Sequence, residues 1–510
     1  MQESYAKNYI QIYAFQCLSI LLGFVSLFVV VPFLSSDVTV YGIYSVCISI
    51  NIFLTYADLG FLGAAQKYAA ESFSRNEIKE EVALIGFSHF ILLVMVLVLS
   101  SIFLFLSYNP TWLIHDIDGE TNIHIASELL LILAISAPIT VFQRMLQMIF
   151  AIRLLDFELQ KIVILGNIIK ILSVFLFFSH GKYCIVEYYF FQQLVAFFVV
   201  CLGIWLVIRK FDYPLKRVFQ NICFSKQVFD KTKSLAMSGL FITVTWILYY
   251  ELDNVVIGKV LGAENVAIFA IGLTLLGFLR SLLGVLYAPF SSRFNHFIGM
   301  KQNEKLNNFY FEIMRRTFPL VVFPIISVVM MIKGIIISWV GTDYELSVPI
   351  TFWLLLCNVF AFVSYPTSLM LVAKEKITDM YKVNTLIIIV YWGGVISLLS
   401  YWGLTAFAFF KFVAFVLSGL TYTWWALKML DLSLGDFLRK VILPYLPSLV
   451  IMCLCLFFVK DLFVAEKSLL NLFINICMVA GSIILAFVIG FVLNNRIRAD
   501  FFQIVSIYKK

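Results

Sequence analysis

The chain reads as an all-α polytopic membrane protein of about fourteen transmembrane helices, and three observations predict it. Of its 510 residues, 62% are hydrophobic and only 13% are charged, about half the roughly 25% of a soluble domain. Apolar runs of ~20 residues, long enough to cross about 30 Å of hydrocarbon, recur along the whole length. The basic residues collect in alternate connecting loops, as the positive-inside rule requires of a chain that threads back and forth.

The first run, 10–34, is long enough to span. No charged segment with a small-residue cleavage site marks it as a removable signal peptide, so it is read as a retained helix. Spans two and three, near 40–66 and 83–107, flank Lys67, Arg75 and Lys79. Span four, 124–150, follows the acidic turn HDIDGE at 115–120, and Arg153 and Lys161 lead into the short span five, 161–179. Span six, 184–208, carries Tyr188, Tyr189, Phe190 and Phe191, read as an interfacial aromatic belt rather than a sugar platform. RKFDYPLKRVFQNICFSKQVFDKTK, residues 209–233, is the longest basic loop. It serves as an orientation signal, with contact to anionic inner-leaflet lipid as the further reading.

Spans seven to twelve follow at 235–260, 266–290, 317–340, 348–373, 383–400 and 403–427, the last two divided only by Tyr401, Trp402 and Gly403. Their basic loops hold Arg293, Lys301, Lys305, Arg315 and Arg316, then Lys374, Lys376 and Lys382, then Lys428, Arg439 and Lys440. Spans thirteen and fourteen, 441–459 and 468–493, precede a tail with Arg496, Arg498, Lys509 and Lys510. Those loops, Lys7 and both termini are expected on the cytoplasmic side. The other side holds Lys182, Lys259, Lys460 and Lys467, with acidic turns at 115–120 and 341–345. The formal charge of +7 therefore reports topology and points to no nucleic-acid partner.

A weak internal repeat organises the spans. LSSDVTVY (34–41) joins spans one and two, and LGAENVAIF (261–269) joins spans seven and eight. Both offer a small residue, an acid, a Val and an aromatic. Six spans apart, they share an orientation, so the repeat is parallel about an axis along the membrane normal. The expected organisation is an N-lobe at 1–208, a basic linker at 209–234, a C-lobe at 235–430, and a helix pair with its tail at 431–510.

Five basic residues fall inside spans: Arg144, Lys170, Arg280, Lys333 and Lys411. Each costs about 2.5–3.5 kcal/mol at mid-membrane on insertion scales, so each asks for a reason. Arg144 and Lys333 are placed to snorkel towards a membrane face; Lys170, Arg280 and Lys411 sit deeper. Ion pairing between helices is the structural alternative, but mid-membrane bases outnumber acids. The excess suits an anionic cargo, phosphate foremost, and Arg280 is the first choice because guanidinium grips phosphate bidentately. The interior acids are Asp58, Glu251 and Asp253, with Glu128 and Glu187 nearer the outer ends. Asp58 is expected near the inner mouth and Asp253 near the outer one, either as gates that pair with bases or as local caps. Glu251 and Asp253 stand about 200° apart on an ideal helix. Pro138, Pro289, Pro319, Pro324, Pro366, Pro444 and Pro447 are candidate kinks.

Enzyme signatures are missing. The five histidines are dispersed, no Gly-rich phosphate loop precedes a helix, and the nine cysteines form no C-x-x-C pair, so neither a metal nor a cofactor is expected. Asp116-x-Asp118-x-Glu120 resembles an acidic metal motif of a membrane glycosyltransferase, but outer loops this short favour a solvated turn.

YADLGFLGAAQKYAAE (56–71), LDNVVIGKVLGAENVAIFA (252–270), SWVGTDY (338–344) and LVAKEK (371–376) resemble, in order and in placement, segments of the O-antigen (Wzx-type) polysaccharide flippases of the multidrug/oligosaccharidyl-lipid/polysaccharide (MOP) exporter superfamily. The resemblance runs from residue 1 to about 500. Phe269 stands where Tyr is usual and Lys67 where Arg is common, and both keep the chemical type. The resemblance implies two six-helix lobes around a cationic lumen and a C-terminal helix pair. By alternating access, such a protein would carry an undecaprenyl-pyrophosphate-linked oligosaccharide from the cytoplasmic to the periplasmic leaflet of the bacterial inner membrane. Taken with the interior bases, it leads to the expectation of pyrophosphate or lumen contacts from Arg280, Lys170, Lys411, Arg144 and Lys333, and of gating or family-motif acids at Asp58, Asp253 and Glu251. A coupling ion (H+ or Na+), a polysaccharide polymerase and chain-length proteins are the further partners implied. The rival expectations are a cation-coupled antiporter of the same fold, disfavoured because span one has no acid, and a membrane polymerase, disfavoured by the short outer loops.

Overall fold

Among the described residues every regular element is a helix. The computed structural model describes residues 2–115, 117, 119–179, 181–211, 213–460, 466–494 and 498. Asp116 and Asp118 of the acidic turn, His180, and Arg496, Lys509 and Lys510 of the tail lie outside them. Among the described residues, eleven helices are long and apolar enough to cross a membrane, and three bent pairs bring the total to as many as fourteen. That is the expected series of spans. It makes the chain a multi-pass membrane protein.

Helix α1 spans Gln2–Leu34. Asp37 then accepts the Val40 N–H at 2.9 Å and starts α2 (Val38–Ser49), an N-cap that satisfies an orphan donor. The second span continues through α3 (Asn51–Thr55), stops, and resumes as α4 (Phe61–Ser74). Helix α5 (Ile78–Tyr108) returns. Helices α6 (Glu120–Ser136) and α7 (Ile139–Ile152) form one span bent by 44° at Pro138, where proline interrupts the hydrogen-bond ladder. Helix α8 covers Asp156–Phe177, longer than the short expected span five, and α9 covers Ile185–Phe211.

The basic loop folds in part as α10 (Leu215–Gln220). Helix α11 (Lys226–Trp246) runs through a π-turn at Ile247–Glu251 into α12 (Asp253–Leu261) with a 46° bend. Helices α13 (Ala263–Gly299), α14 (Asn303–Met330) and α15 (Ile332–Val340) follow. Helices α16 (Ser347–Leu356) and α17 (Ala361–Ala373) meet at 45°. Helices α18 (Ile377–Trp402) and α19 (Leu404–Leu430) part at Gly403, where the sequence places the division. Helices α20 (Leu434–Phe437), α21 (Leu446–Val459) and α22 (Leu469–Leu493) are the last described elements. Of the expected proline kinks, Pro138 lies at a bend, whereas Pro289, Pro319, Pro324 and Pro366 lie inside continuous helices.

By packing, the helices divide into two units, Met1–Ala267 and Ile268–Lys510. In the first, Phe61 stacks on Phe229 (5.7 Å) and meets Phe87 edge-on (5.8 Å). They belong to a core shared by α4, α5, α7, α8, α9, α10 and α11. Tyr188 and Tyr189 are buried here, Tyr188 against Phe178 and Tyr189 against Tyr44. They pack a core, and the expected interfacial belt is therefore wrong for these two; Phe190 alone of the four is well exposed. In the second unit, polar contacts join apolar helices. Ser482 donates to Ser327 (3.2 Å), and Asn475 donates to the Ser338 hydroxyl (3.4 Å), tying α22 to α14 and α15. In hydrocarbon such hydrogen bonds, with close packing, replace the hydrophobic drive that water would supply. Leu97, Val98 and Phe105 on α5, and Ile484, Val488 and Val492 on α22, are exposed, as on helices that face lipid.

Candidate functional site

The site begins with helical periodicity. On α8, Leu159, Val163, Gly166, Asn167 and Lys170 recur at intervals of three and four and so share a face. On α7 the same spacing groups Gln143, Leu146 and Gln147, and on α9 it groups Ala196, Val199 and Val200. Together they enclose a cavity of ≈ 210 Å³ in the first unit. Its polar lining is Lys170, Asn167, Gln143 and Gln147, one cation with three amides among otherwise apolar lining residues. Gly166 permits the close approach, since a Cβ there would meet the Val199 side chain at 2.7 Å.

Arg144 joins this cavity through Gln147. Its Nη1 donates to Gln147 Oε1 at 3.4 Å, and its Nη2 donates to the Thr55 carbonyl at 3.0 Å. Thr55 ends α3, so its carbonyl is one that helix termination leaves free, and a cation also suits that end of the helix dipole. Asp58 lies three residues on, in the break, within electrostatic reach of Arg144. Its Oδ2 accepts the Leu62 N–H at 3.1 Å and caps α4. The break is built by Leu59 and Gly60, both at positive φ (52° and 82°). A Cβ on Gly60 would also strike the backbone of α11 at Ala236 and Leu240. Asp58, Arg144 and Lys170 thus belong to one polar path across α3, α7 and α8.

Glu251 and Asp253 lie on either side of a bend. The ~200° separation assumed one straight helix, and the π-turn at Ile247–Glu251 removes that premise. Glu251 accepts the Trp246 Nε1–H at 3.1 Å. Asp253 is fully buried and opens α12, where the helix dipole favours a carboxylate. Beside it, Asn254 donates to Ser49 of α2 at 2.8 Å. The repeat-related junctions meet here as well, for the Thr39 hydroxyl donates to Glu264 at 3.1 Å.

The remaining bases lie in the second unit, each among different partners. Arg280 on α13 acts electrostatically on Tyr365 of α17, whose ring stacks on Tyr287 at 5.0 Å. Lys411 on α19 is fully buried, with its ammonium 5.0 Å from the centre of the Tyr391 ring, a cation–π contact strengthened by desolvation. Lys333 at the start of α15 is half exposed and pairs with Glu345 at 2.8 Å.

One cluster goes unmarked in the sequence. Glu81 of α5 is fully buried and takes an ion pair from Arg153 at 2.9 Å and the Tyr213 hydroxyl at 3.0 Å. The Arg153 guanidinium lies 4.8 Å from the Phe73 ring centre and 4.6 Å from that of Tyr213. Burial, with the Glu81 charge, pushes the Tyr213 phenol well above its ordinary range. Three loops of the basic side are joined at this point. Glu81 looks in sequence like any acid of a first helical turn, and nothing in its spacing announces Arg153 or Tyr213.

A family model described as polysaccharide biosynthesis protein matches residues 5–294. No curated protein matches the chain. Among solved structures, the lipid II flippase MurJ in an inward closed conformation aligns with a TM-score of 0.69 at 14% identity, over 94% of this chain and 98% of that one. An inward-facing multidrug resistance MATE family transporter of the MOP superfamily aligns at 0.66 and 12% identity, over 81% and 94%. A MATE in complex with MaD3S aligns at 0.58 and 12%, over 84% and 96%. At these identities the likeness is one of fold, and the fold is that of the MOP superfamily.

Proposed function

The chain belongs to the polysaccharide biosynthesis protein family, and from that premise we propose that it is a flippase for polyprenyl-pyrophosphate-linked oligosaccharides. Its cargo would be an undecaprenyl-linked repeat unit of O-antigen or a related surface polysaccharide. It would move that cargo from the cytoplasmic to the periplasmic leaflet of a bacterial inner membrane, with both termini cytoplasmic. It would act as a transporter and not as an enzyme. The observation that carries this reading is the cavity of the first unit, where Lys170 lies among three amide side chains with Arg144 one hydrogen bond away. A pyrophosphate leaving water needs cations, and the amides offer donors and acceptors that suit sugar hydroxyls. A basic residue at this depth otherwise carries the insertion cost for nothing.

In this scheme Lys170, Arg144, Arg280 and Lys411 bind the anionic head at successive stages of alternating access. Lys333, paired with Glu345, contributes at the outer face. Asp58 and Asp253 close opposite mouths, with Glu251 held back by Trp246. A coupling ion, H+ or Na+, drives the cycle, and a polymerase with its chain-length partner takes the product. The MATE-like fold also supports a second reading, a cation-coupled small-molecule antiporter. Residues 10–34 hold no acid, which weighs against it.

A strain lacking the chain separates the readings. Single lipid-linked repeat units accumulating on the inner leaflet support the flippase. Drug sensitivity with normal surface polysaccharide supports the antiporter, and single units exposed outside indicate a polymerase.

A further inference from the structure

The basic loop between α9 and α11 folds back along the helices instead of extending away from them. Asn221 lies against Gly86, where a Cβ would meet the Asn221 carbonyl oxygen at 2.4 Å. Gly86 stands about two turns, or ~12 Å at 1.5 Å per residue, from the start of α5. The Phe219 ring lies 6.3 Å from that of Phe142, which belongs to the first turn of α7. Phe219 thus stands beside the body of that span and not beyond its end at Ile152. Leu215 and Val218 of α10 are buried in the core of the first unit, and the Tyr213 hydroxyl donates to Glu81. Packing therefore fixes the segment with one face inward and one face outward.

The outward face sets cations beside aromatics. Lys216, Arg217 and Phe219 are exposed on α10, and Phe224 and Lys226 are exposed just after it. Other bases of the loop are paired: Lys210 with Glu158 at 2.6 Å, Lys231 with Glu80 at 2.7 Å and Lys233 with Asp230 at 2.7 Å. Among the described residues Lys216, Arg217 and Lys226 have no such acid, and residues 215–226 contain none. On the preceding α9, Trp205 is exposed and the Arg209 guanidinium lies 5.7 Å from its ring centre, an aromatic and a cation of the kind that mark a membrane–water boundary. We infer that this face is an interfacial anchor for anionic phospholipid of the adjoining leaflet. Phe219 and Phe224 enter among the acyl chains, and Lys216, Arg217 and Lys226 meet the phosphate-bearing headgroups. Charge complementarity identifies the occupant, and the aromatics make it a membrane: a soluble phosphate compound would leave both rings in water. Because core contacts hold α10 in place beforehand, binding carries little ordering cost. The anchor is independent of the cargo that the protein moves.

Cys223 lies between Phe219 and Phe224, exposed and free, so it reports docking directly. The full-length protein is placed in nanodiscs of phosphatidylcholine, alone or with an equal share of phosphatidylglycerol. An uncharged polyethylene-glycol maleimide is added, and loss of the unmodified Cys223 peptide is followed by mass spectrometry. Phosphatidylglycerol is expected to slow labelling about tenfold, since each base near an anionic surface favours docking about fivefold. Lys216→Gln with Arg217→Gln and Lys226→Gln is expected to abolish that difference while labelling like the wild type in phosphatidylcholine, which shows the variant folded. High salt is expected to do the same, because the Debye length falls to about 3 Å at 1 M. Lys301→Gln with Lys305→Gln and Lys376→Gln takes equal charge from the second unit and is expected to keep the difference. Equal wild-type labelling in the two discs overturns the anchor. Loss of the difference in the second-unit variant overturns its location, and equal protection by inorganic phosphate in phosphatidylcholine discs overturns the lipid as its occupant.

Discussion

Lys170 stands inside an apolar run, and that position alone marks it as costly; a cost of this kind implies a purpose. Its companions are less visible in the sequence, because Gln143, Gln147 and Asn167 are neutral amides that raise no alarm in a hydropathy profile. Lys170→Ala is expected to leave the protein in the membrane but abolish surface polysaccharide, while Lys170→Arg keeps part of it; immunoblots of membranes beside polysaccharide gels measure both. Arg153 makes a different prediction. Removing one partner of a buried pair costs about 3–5 kcal/mol, whereas replacing both with apolar residues is often neutral. Arg153→Ala should therefore lower the unfolding midpoint in detergent sharply, and Glu81→Leu with Arg153→Met should recover much of the loss. A double variant as unstable as the single one would show that Glu81 and Arg153 do not act as a pair.

At the scale of elements, the spans themselves were legible because transfer of ~20 apolar residues is additive and local. The breaks were legible only in part. Pro138 announces a bend by its chemistry, but the π-turn before Asp253 and the meeting of α16 with α17 carry no such mark. Four other prolines leave their helices continuous, which membrane helices tolerate more readily than soluble ones. The Asp58-Leu59-Gly60 break carries its own reason, an acid that caps and a glycine at φ 82° against the backbone of α11. Gly60→Ala is expected to cost about 1–2 kcal/mol from the left-handed backbone alone, with the clash against Ala236 in addition. Gly63→Ala, three residues on, meets nothing within 4 Å and should be neutral or stabilising. Thermal unfolding of the two variants side by side checks the contrast, and equal stabilities would remove the proposed reason for the glycine.

For the whole molecule, the alternation of basic loops predicts a single threading. Single-cysteine variants at Lys301 and Lys467 should react with an impermeant maleimide from opposite sides of the membrane; labelling from the same side would break the fourteen-span order. The order of spans was legible, because charge and hydropathy act one loop at a time. That Asp58, Arg144 and Lys170 share one polar path was not, because it depends on how α3, α7 and α8 pack. Transport itself is tested most directly in proteoliposomes containing the purified chain and a fluorescent undecaprenyl-pyrophosphate oligosaccharide. Under an imposed H+ or Na+ gradient, the share of sugar open to an impermeant glycosidase should rise well above its starting outer-leaflet fraction with the wild type, and stay at that fraction with Lys170→Ala. An unchanged fraction with active, folded wild-type protein under both gradients would mean that the chain does not flip this lipid.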